Sequence, residues 1–555
     1  MKKIHLCLLS LASGLLLAAS WPANGLTPLV FIALVPLFWV EDFVWGQQKA
    51  YDKAQAVSDK KPKKTKYHLF GYSYVTFLVW NALTTWWIWY STPAALLAIT
   101  LNALLMACVF SLFHAGSRVL HTGAKRYFIL FVYWIGFEFF HHNWDISWPW
   151  LTLGNVFANR PAWIQWYEIT GVLGGSLWIL ACNVLVFNWL RTWCNNRKAG
   201  LPFPWRPLVV ALCLVLIPLA ASLIRYATYE PQGKPVETVV VQPNIDPYSE
   251  QFFISAHEAA SRMLLLAESR MTPQTRFVVT PESMLQENIW EDEIALCPSV
   301  IRIRQFLQGK QAVLVAGISS YSHVPPQDSA QAGIRRLRWT DDPTLKFYRA
   351  HNSVIVLSQD QLDSIPLYHK SKLTPGVEIM PFAGKLRFIE RMAVDMGGTT
   401  GTLGIDPEPK VFGDSVKFSD IICYESIFGD YVAWGVRKGA QLLFVSTNDG
   451  WWNNSPGHRQ HSAYARLRAV ENRRDVARSA NTGISCFINQ KGQVFQATEY
   501  GQPDCIRQEL LANTKLTFYS KYGDILGRGC LFFSLLLLLF SLLYRFFPQA
   551  LKRGA

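Results

Sequence analysis

The sequence predicts a chain of two parts, a polytopic α-helical membrane domain of about eight spans and an α/β domain that precedes the last span. Three observations carry this prediction. The chain has 555 residues, which is too long for one ordinary domain, and half of its residues are hydrophobic. The apolar residues concentrate in 1–225 and 525–547, whereas 236–515 has the composition of a soluble protein. We therefore expect a transmembrane domain over 1–225, an α/β domain over 226–520 and a C-terminal helix over 525–547.

The membrane domain begins at the N-terminus. Met1-Lys2-Lys3 and the apolar run to Ala19 resemble a signal peptide, but further hydrophobic segments follow in place of a clear cleavage site, so we interpret the run as an uncleaved first span. Each predicted span is near the roughly 20 apolar residues that a bilayer requires, although the first, second and fifth are short or interrupted. The predicted spans are 4–20, 26–44, 69–90, 93–114, 126–142, 172–192, 206–225 and 525–547.

Positive charge predicts the orientation of these spans. With eight spans, the basic loops fall on one side together with both termini, and that side is expected to be cytoplasmic. The large segment 226–524 then lies outside, because seven spans precede it. The net charge of +14 is thus a topology signal and does not indicate nucleic acid. The basic residues are Lys49, Lys53, Lys60, Lys61, Lys63, Lys64, Lys66, Arg118, Lys125, Arg126, Arg191, Arg197, Lys198, Arg206, Lys552 and Arg553.

An outside loop, Trp144–Leu151, is rich in tryptophan. Tryptophan is enriched at membrane interfaces, so we interpret the loop first as an interfacial aromatic belt. The alternative is that it also shapes lipid access to a site near the outer leaflet.

The α/β domain is predicted from strands that alternate with helices. A β-branched strand at 238–244 is followed by a helical pattern at 249–271, and loops rich in Pro, Gly and Asp occupy 322–342 and 393–412. The further strands are expected at 277–280, 312–317, 352–357, 415–422 and 442–446.

Three reactive side chains follow strands of this domain. Glu282 comes just after one strand, Lys370 after another, and Cys423 lies at a turn from a strand to a helix. Functional groups converge at strand ends in α/β sheets. Helix N-terminal amides can lower the pKa of such a thiol, and the backbone N–H of Tyr424 can help a lysine to hold an oxyanion. Taken alone, however, Cys423 fits a buried structural thiol better than a nucleophile.

The motifs around these residues resemble those of the nitrilase superfamily, in the family's order: Thr280-Pro281-Glu282, Tyr368-His369-Lys370 and Ile422-Cys423-Tyr424-Glu425. Together with the spans on both sides, the chain is similar to the apolipoprotein N-acyltransferase family. The resemblance implies a nitrilase-like α-β-β-α sandwich. The chain departs from the family at Thr280, where tryptophan is usual, and at Lys372, where histidine is common. The second departure leaves Lys372 as an alternative to Lys370, which keeps the family's spacing to Glu378.

The resemblance also implies roles for individual residues. Cys423 would be the nucleophile, Glu282 the general base and Lys370 the residue that stabilises the oxyanion. Glu378, Tyr424 and Glu425 would shape the pocket and orient the lysine. Asn448 and the two tryptophans would lie in a loop near the site and could touch acyl chains, although core packing is at least as good an explanation for the tryptophans. These pocket residues are Glu378, Tyr424, Glu425, Asn448, Trp451 and Trp452.

A reaction and a location follow from the resemblance. The enzyme would take an acyl chain from a membrane phospholipid, hold it as a thioester, and transfer it to the N-terminal amine of diacylglyceryl apolipoproteins. It would work as a monomer in the bacterial inner membrane, with its catalytic domain in the periplasm. No cofactor or metal is expected, because the ten cysteines show no metal-ligand or CxxC spacing. The alternatives are a membrane-tethered amidohydrolase, which would use water as the second nucleophile, and a transporter or lipid scaffold, which the scarcity of charged residues in the spans disfavours.

Overall fold

The fold was examined in a computed structural model. It describes the chain except for 24, 58–66, 93–94, 120–125, 252, 332, 339, 341, 343, 360–363, 381–401 and 547–555. Lys60, Lys61, Lys63, Lys64, Lys66, Lys125, Lys552, Arg553 and much of the predicted 393–412 loop lie outside the described residues.

Helices occur at all eight places where spans are predicted. Six of them, among the described residues, are long and apolar enough to cross a membrane. The third and fifth have 17 and 16 residues, and a 3₁₀ turn extends the third to Tyr90. The predicted count of eight spans is therefore not confirmed. The helices are α1 (Lys3–Ser20), α2 (Val35–Val57), α3 (Leu69–Thr85), α4 (Ala95–Val119), α5 (Arg126–His141), α6 (Tyr167–Lys198), α7 (Trp205–Thr228) and, at the C-terminal end, α13 (Ile525–Phe546).

Burial separates the helices that form the core of the bundle from those that surround it. About two thirds of the most apolar window of α6 is buried, but only 11% of the corresponding windows of α7 and α13. Two charged groups inside the bundle form an ion pair, because Arg126 lies 2.9 Å from the fully buried Glu41. Glu138 is also buried, and it accepts hydrogen bonds from Trp134 and from the Leu153 backbone. These contacts favour structural roles for both carboxylates.

The α/β domain contains two sheets. The larger has the strand order β13-β1-β2-β4-β6-β5, with β3 on β4 and β7 on β6, and the smaller has the order β12-β11-β10-β9-β8. The strands are β1 (Lys234–Gln242), β2 (Phe277–Val279), β3 (Leu285–Trp290), β4 (Val313–His323), β5 (Arg335–Arg336), β6 (Phe347–Leu357), β7 (Leu367–His369), β8 (Phe418–Ile422), β9 (Leu442–Thr447), β10 (Val476–Ala480), β11 (Cys486–Ile488), β12 (Val494–Phe495) and β13 (Asp504–Ala512).

Helices cover the outer faces of both sheets. α8 (Ala256–Arg270) and α9 (Pro298–Leu307) pack on the larger sheet, and α10 (Gly429–Arg437) and α11 (Pro456–Asn472) pack on the smaller. A third apolar cluster, which includes Phe277, Phe418 and Phe444, lies between the sheets. The short α12 (Phe518–Tyr522) leads into α13. The predicted α-β-β-α sandwich is thus present.

Three local predictions differ from the structure. The helix predicted at 249–271 begins only at Ala256, where Ser255 caps it through the Glu258 amide. The tryptophan-rich loop is not simply a surface belt, because Trp150 is fully buried and its indole donates to Gln460 of α11. The loop 322–342, predicted as surface, also contributes the short strand β5.

Candidate active site

A cavity of about 610 Å³ lies between the helical domain and the α/β domain. One wall is a stripe on α4, formed by Leu97, Leu101 and Leu105, which the helical repeat places on one face. The opposite wall contains Glu282, Lys370 and Cys423. The structure therefore brings all three predicted catalytic residues into one space, and that space has an apolar side contributed by a membrane helix.

Cys423 follows β8 directly and begins a 3₁₀ turn that ends at Ile427. Its φ is 51°, a left-handed conformation that is uncommon for residues other than glycine and is concentrated at functional sites. The carbonyl oxygen of Cys423 accepts from Ser426 Oγ at 2.7 Å and lies 3.1 Å from His461 Nε2. Contacts from two residues thus hold the turn that presents the sulfur.

The expectation that the turn lowers the pKa of Cys423 is wrong. Burial raises the pKa of this thiol well above its usual value, the Glu282 carboxylate raises it further, and only the Lys370 ammonium and a hydrogen bond with Thr447 oppose them. The side chain is shielded between two domains, and it is followed by a single 3₁₀ turn in place of a long helix. Cys423 is therefore a neutral thiol at rest, and a nucleophilic role for it would require a base.

Lys370 lies between two carboxylates. Its Nζ is 2.9 Å from Glu282 Oε1 and 2.9 Å from Glu378 Oε1, and its side chain is almost fully buried. Burial alone would lower the pKa of Lys370, but the two carboxylates hold it well above its usual value. Burial would likewise raise the pKa of Glu378, but Lys370 holds it below its usual range. The lysine is thus a fixed cation beside Cys423.

Glu282 is held at the end of β2 by a close approach of two chain segments. Its Oε2 accepts from the backbone N–H of Asn448 at 3.1 Å. The loop from Pro281 to Ser283 passes directly over Gly317 of β4, where an added Cβ would collide with the Pro281 carbonyl oxygen. Glycine is required at 317 for this reason, and the contact fixes the height of the Glu282 carboxylate above the sheet.

Glu425 does not line the cavity. It is fully buried, and its Oε1 accepts from Tyr368 Oη at 2.6 Å and from the Ser371 N–H at 2.6 Å, while its Oε2 accepts from the Ile422 N–H at 2.8 Å. It therefore joins the loop that carries Cys423 to the loop that carries Lys370. These contacts are compatible with the expected orientation of the lysine, whereas Glu425 itself does not form part of the cavity wall.

The two candidate lysines differ in their surroundings. The ammonium of Lys372 lies over the rings of Phe428 and Tyr431, at 5.3 and 5.9 Å from their centroids, and burial lowers its pKa. It does not line the cavity. The geometry therefore favours Lys370 as the lysine that faces a substrate.

The predicted aromatic residues meet the tryptophan-rich loop around the cavity. Trp148 stacks on Tyr424 at 6.0 Å, and the Tyr424 hydroxyl donates to the Ser147 carbonyl. Trp452 packs against Trp87 and Trp150, each 4.8 to 5.6 Å away. Trp451 and Asn448 complete this part of the wall. The loop thus belongs to the site, as its alternative interpretation suggested.

Asn352 and His461 were missed by the sequence analysis. Asn352 lies in β6, and its Nδ2 donates to Glu282 Oε1 at 2.7 Å and to Glu378 Oε1 at 2.9 Å. His461 lies behind the Cys423 turn, and Asp449 Oδ1 lies 2.9 Å from its Nδ1. Neither residue stands at a strand end, which was the signal that identified the others.

One group of described residues has the composition of a metal site. Donor atoms of Glu291, His351 and His369 lie within 4.8 Å of one another. Both ring nitrogens of His369 are already 2.9 Å from carboxylates, those of Glu291 and Asp406, and the two imidazoles stack with centroids 3.9 Å apart. The lone pairs of an imidazole lie in the plane of its ring, so the lone pairs of two stacked rings do not converge on one ion. We therefore describe this group as a stacked pair of histidines, each hydrogen-bonded to neighbouring side chains, and not as a metal centre.

Chemically, the site combines a thiol, a base and a fixed cation in a cavity with an apolar wall. Such a group can form a thioester with an acyl compound and stabilise the oxyanion on the way.

Comparisons with known proteins agree with both parts of the chain. Residues 13–185 match the family described as the apolipoprotein N-acyltransferase N-terminal domain, and 239–506 match the carbon-nitrogen hydrolase family. The apolipoprotein N-acyltransferase of Chlorobaculum tepidum is 28% identical over 536 residues, covering 94% of each chain. That of Geobacter metallireducens is 27% identical over 541 residues, covering 94% of this chain and 92% of the relative. The crystal structure of Saccharomyces cerevisiae Nit3, from the nitrilase superfamily, aligns with a TM-score of 0.36 and 18% identity, over 54% of this chain and 97% of Nit3.

Proposed function

Since this chain belongs to the apolipoprotein N-acyltransferases, we propose that it transfers a fatty acyl chain from a phospholipid to the N-terminal amine of a diacylglyceryl apolipoprotein, through a thioester on Cys423. One observation carries the proposal: Cys423, Glu282 and Lys370 open into a cavity whose facing wall is the leucine stripe of α4. Leu97 of this stripe lines the cavity and is 44% exposed. An acyl chain can therefore reach the thiol along a membrane helix.

The first half-reaction forms the thioester. Glu282 takes the proton of the Cys423 thiol as the sulfur attacks the donor's ester carbonyl, and negative charge moves to the carbonyl oxygen. The Lys370 ammonium, together with the Tyr424 N–H, stabilises that oxyanion. The tetrahedral intermediate collapses with cleavage of the C–O bond. The glycerol oxygen takes the proton from Glu282, and a lysophospholipid leaves.

The second half-reaction reverses these roles. The neutral α-amino group of the acceptor attacks the thioester, and Glu282 takes a proton from its nitrogen. Collapse of the second intermediate breaks the C–S bond, and the sulfur recovers its proton from Glu282. The products are an N-acylated lipoprotein and the free thiol. Because the acyl-enzyme precedes the acceptor, the kinetics should be ping-pong.

The apolar helices and the family fit a protein of the inner membrane. We place the catalytic domain on the periplasmic side and both termini in the cytoplasm, because the basic loops then share the cytoplasmic side. We assign the functional domains to 1–225, 226–520 and 525–547, as expected from the sequence. All the residues assigned to the reaction come from one chain, which supports action as a monomer.

The test is the site of acylation. Purified protein is incubated with phospholipid, digested, and analysed by mass spectrometry for a peptide that carries an acyl thioester. Cys423→Ala should abolish the acylated peptide, whereas Cys486→Ala, which removes another buried thiol of the same domain, should retain it. Acylation of Cys486 would overturn the assignment. Release of free fatty acid, with none on an added lipopeptide, would favour the amidohydrolase-type alternative with water as acceptor.

A further inference from the structure

The cavity extends beyond the catalytic residues along the larger sheet, and this extension reaches an arginine. Its wall there comes from β4, β5 and β6 and includes Ser319, Tyr321 and Arg335. Arg335 belongs to β5, which consists of two residues and pairs antiparallel with β6. The wall is polar here, in contrast to the leucine stripe of α4.

The strand register sets the distance between Arg335 and the reacting groups. Arg335 pairs with Tyr348, and Asn352, which binds the Glu282 and Glu378 carboxylates, lies four residues further along β6. Four residues of extended chain span about 13 Å. An arginine side chain that points along the cavity covers roughly half of this distance. In a glycerophospholipid, five or six covalent bonds separate an acyl ester carbonyl from the phosphorus, which is roughly 7 Å when extended. A donor with its carbonyl at Cys423 would therefore bring its phosphate near the guanidinium.

Charge balance distinguishes Arg335 from the other ionic groups of the wall. Lys370 is matched by Glu282 and Glu378. Burial, helped by the charge of His369, lowers the pKa of the lining His351 to about 4, so this histidine is neutral. Among the described residues, Arg335 forms no ion pair within 4 Å, and it is only half-buried. It is therefore the cation of the described wall that is available to an anionic ligand.

We propose that Arg335 binds the phosphodiester of the acyl donor and thereby sets the donor's position, with its ester carbonyl at Cys423. This inference rests on the proposed function and adds a recognition site to it. A guanidinium is well suited to phosphate because its N–H groups form paired, charge-assisted hydrogen bonds. The enzyme should therefore prefer phosphate-bearing donors to neutral esters with the same acyl chain.

The experiment compares two donors with the full-length protein in detergent micelles. One donor is a dipalmitoyl glycerophospholipid, and the other is dipalmitoylglycerol, which has the same kind of ester and glycerol leaving group but lacks the phosphate. The rate of thioester formation on Cys423 is followed by intact-protein mass spectrometry. Arg335→Gln is compared with Arg335→Lys and with the control Arg336→Gln, whose side chain is exposed on the opposite side of β5.

We expect Arg335→Gln to lower the preference for the phospholipid over the diacylglycerol by about tenfold or more. Arg335→Lys should retain part of the preference, and Arg336→Gln should retain all of it. The inference would be overturned if Arg335→Gln slowed thioester formation equally with both donors, or if it left the preference unchanged. It would also be overturned if the wild-type protein showed no preference for the phospholipid. Failure of the proposed function looks different, since wild-type protein would then form no thioester on Cys423 with either donor. If Arg335→Gln does not fold, the wild-type preference and the Arg335→Lys variant still decide the question.

Discussion

Replacing Lys370 by methionine is the sharpest test of the site, because the lysine holds together two buried carboxylates. Nζ is 2.9 Å from an oxygen of each, and the side chains of Glu282 and Glu378 are only 8% and 13% exposed. Asn352 also contacts both, but it carries no charge. Removing the ammonium leaves uncompensated buried charge, which costs about 3–5 kcal/mol of stability. The loss of the oxyanion partner should also lower thioester formation by about 10²–10³-fold.

The pH dependence of this variant follows from the carboxylates. In the wild type, Lys370 holds the pKa of Glu378 below its usual range, so its contribution to stability is present above the unfolded-state pKa of about 4.3 and is lost as the pH falls through the lower folded-state value. In Lys370→Met, the buried Glu378 carboxylate, without its cation, should have a pKa above that of the unfolded chain. The loss of unfolding free energy caused by Lys370→Met should then become smaller as the pH falls from 8 towards 5.

The assay is thermal unfolding in detergent at pH 8 and at pH 5.5, together with thioester formation. The difference in Tm between wild type and Lys370→Met should narrow at pH 5.5. The double variant Lys370→Met/Glu378→Gln should recover much of the Tm at pH 8 but none of the activity. Lys372→Met serves as a control. Its free energy of unfolding should stay within about 1 kcal/mol of the wild-type value, because the ammonium that it removes contacts aromatic rings. A Tm difference that does not depend on pH, or a double variant no more stable than the single one, would refute the charge argument.

Three further predictions concern the nucleophile, the aromatic wall and the loop of the general base. Burial raises the pKa of Cys423, so its alkylation by iodoacetamide, measured by mass spectrometry, should still accelerate above pH 9, and a plateau below pH 7 would contradict this. Trp452→Ala, which removes an indole packed between two others, should lower the unfolding free energy by about 3 kcal/mol, whereas Ala at the exposed Trp205 should change it little. Gly317→Ala should displace Glu282, the proposed general base, and slow thioester formation by about 10²-fold, whereas Gly71→Ala, which has open space around it, should not. Equal rates in the two variants would argue against the contact.

Glu282, Lys370 and Cys423 could be proposed from the sequence because each comes shortly after a strand and because their motifs resemble those of the nitrilase superfamily. The strands β2 and β7 belong to the larger sheet and β8 to the smaller, and all three residues line one cavity. Asn352 could not be found in this way. It lies within β6, and its link to the carboxylates depends on the pairing of β6 with β7, which aligns Ser353 with His369. Register between distant segments is set by tertiary packing, so local sequence patterns do not reveal it.

The two errors at the site have a common physical cause. The tryptophan-rich loop was first interpreted as an interfacial belt, and Cys423 was expected to have a lowered pKa. Composition cannot distinguish an indole at a lipid surface from one at an interface between domains, and here Trp150 is covered by α11. The same contact between domains buries Cys423, and burial outweighs any stabilisation of the thiolate by the turn that follows.

A neutral resting thiol suits a nucleophile that faces an apolar wall. A thiolate at this position would need hydration, and an arriving acyl chain would have to remove that water. In the proposed reaction of the thiol, the negative charge moves from Glu282 to the substrate: as the sulfur attacks, Glu282 becomes neutral and the carbonyl oxygen becomes negative. The Lys370 ammonium lies 2.9 Å from the carboxylate that loses its charge, and its proximity to Cys423 favours the oxyanion that gains it. Total charge in the site stays constant through the step, so little reorganisation is required of the surroundings.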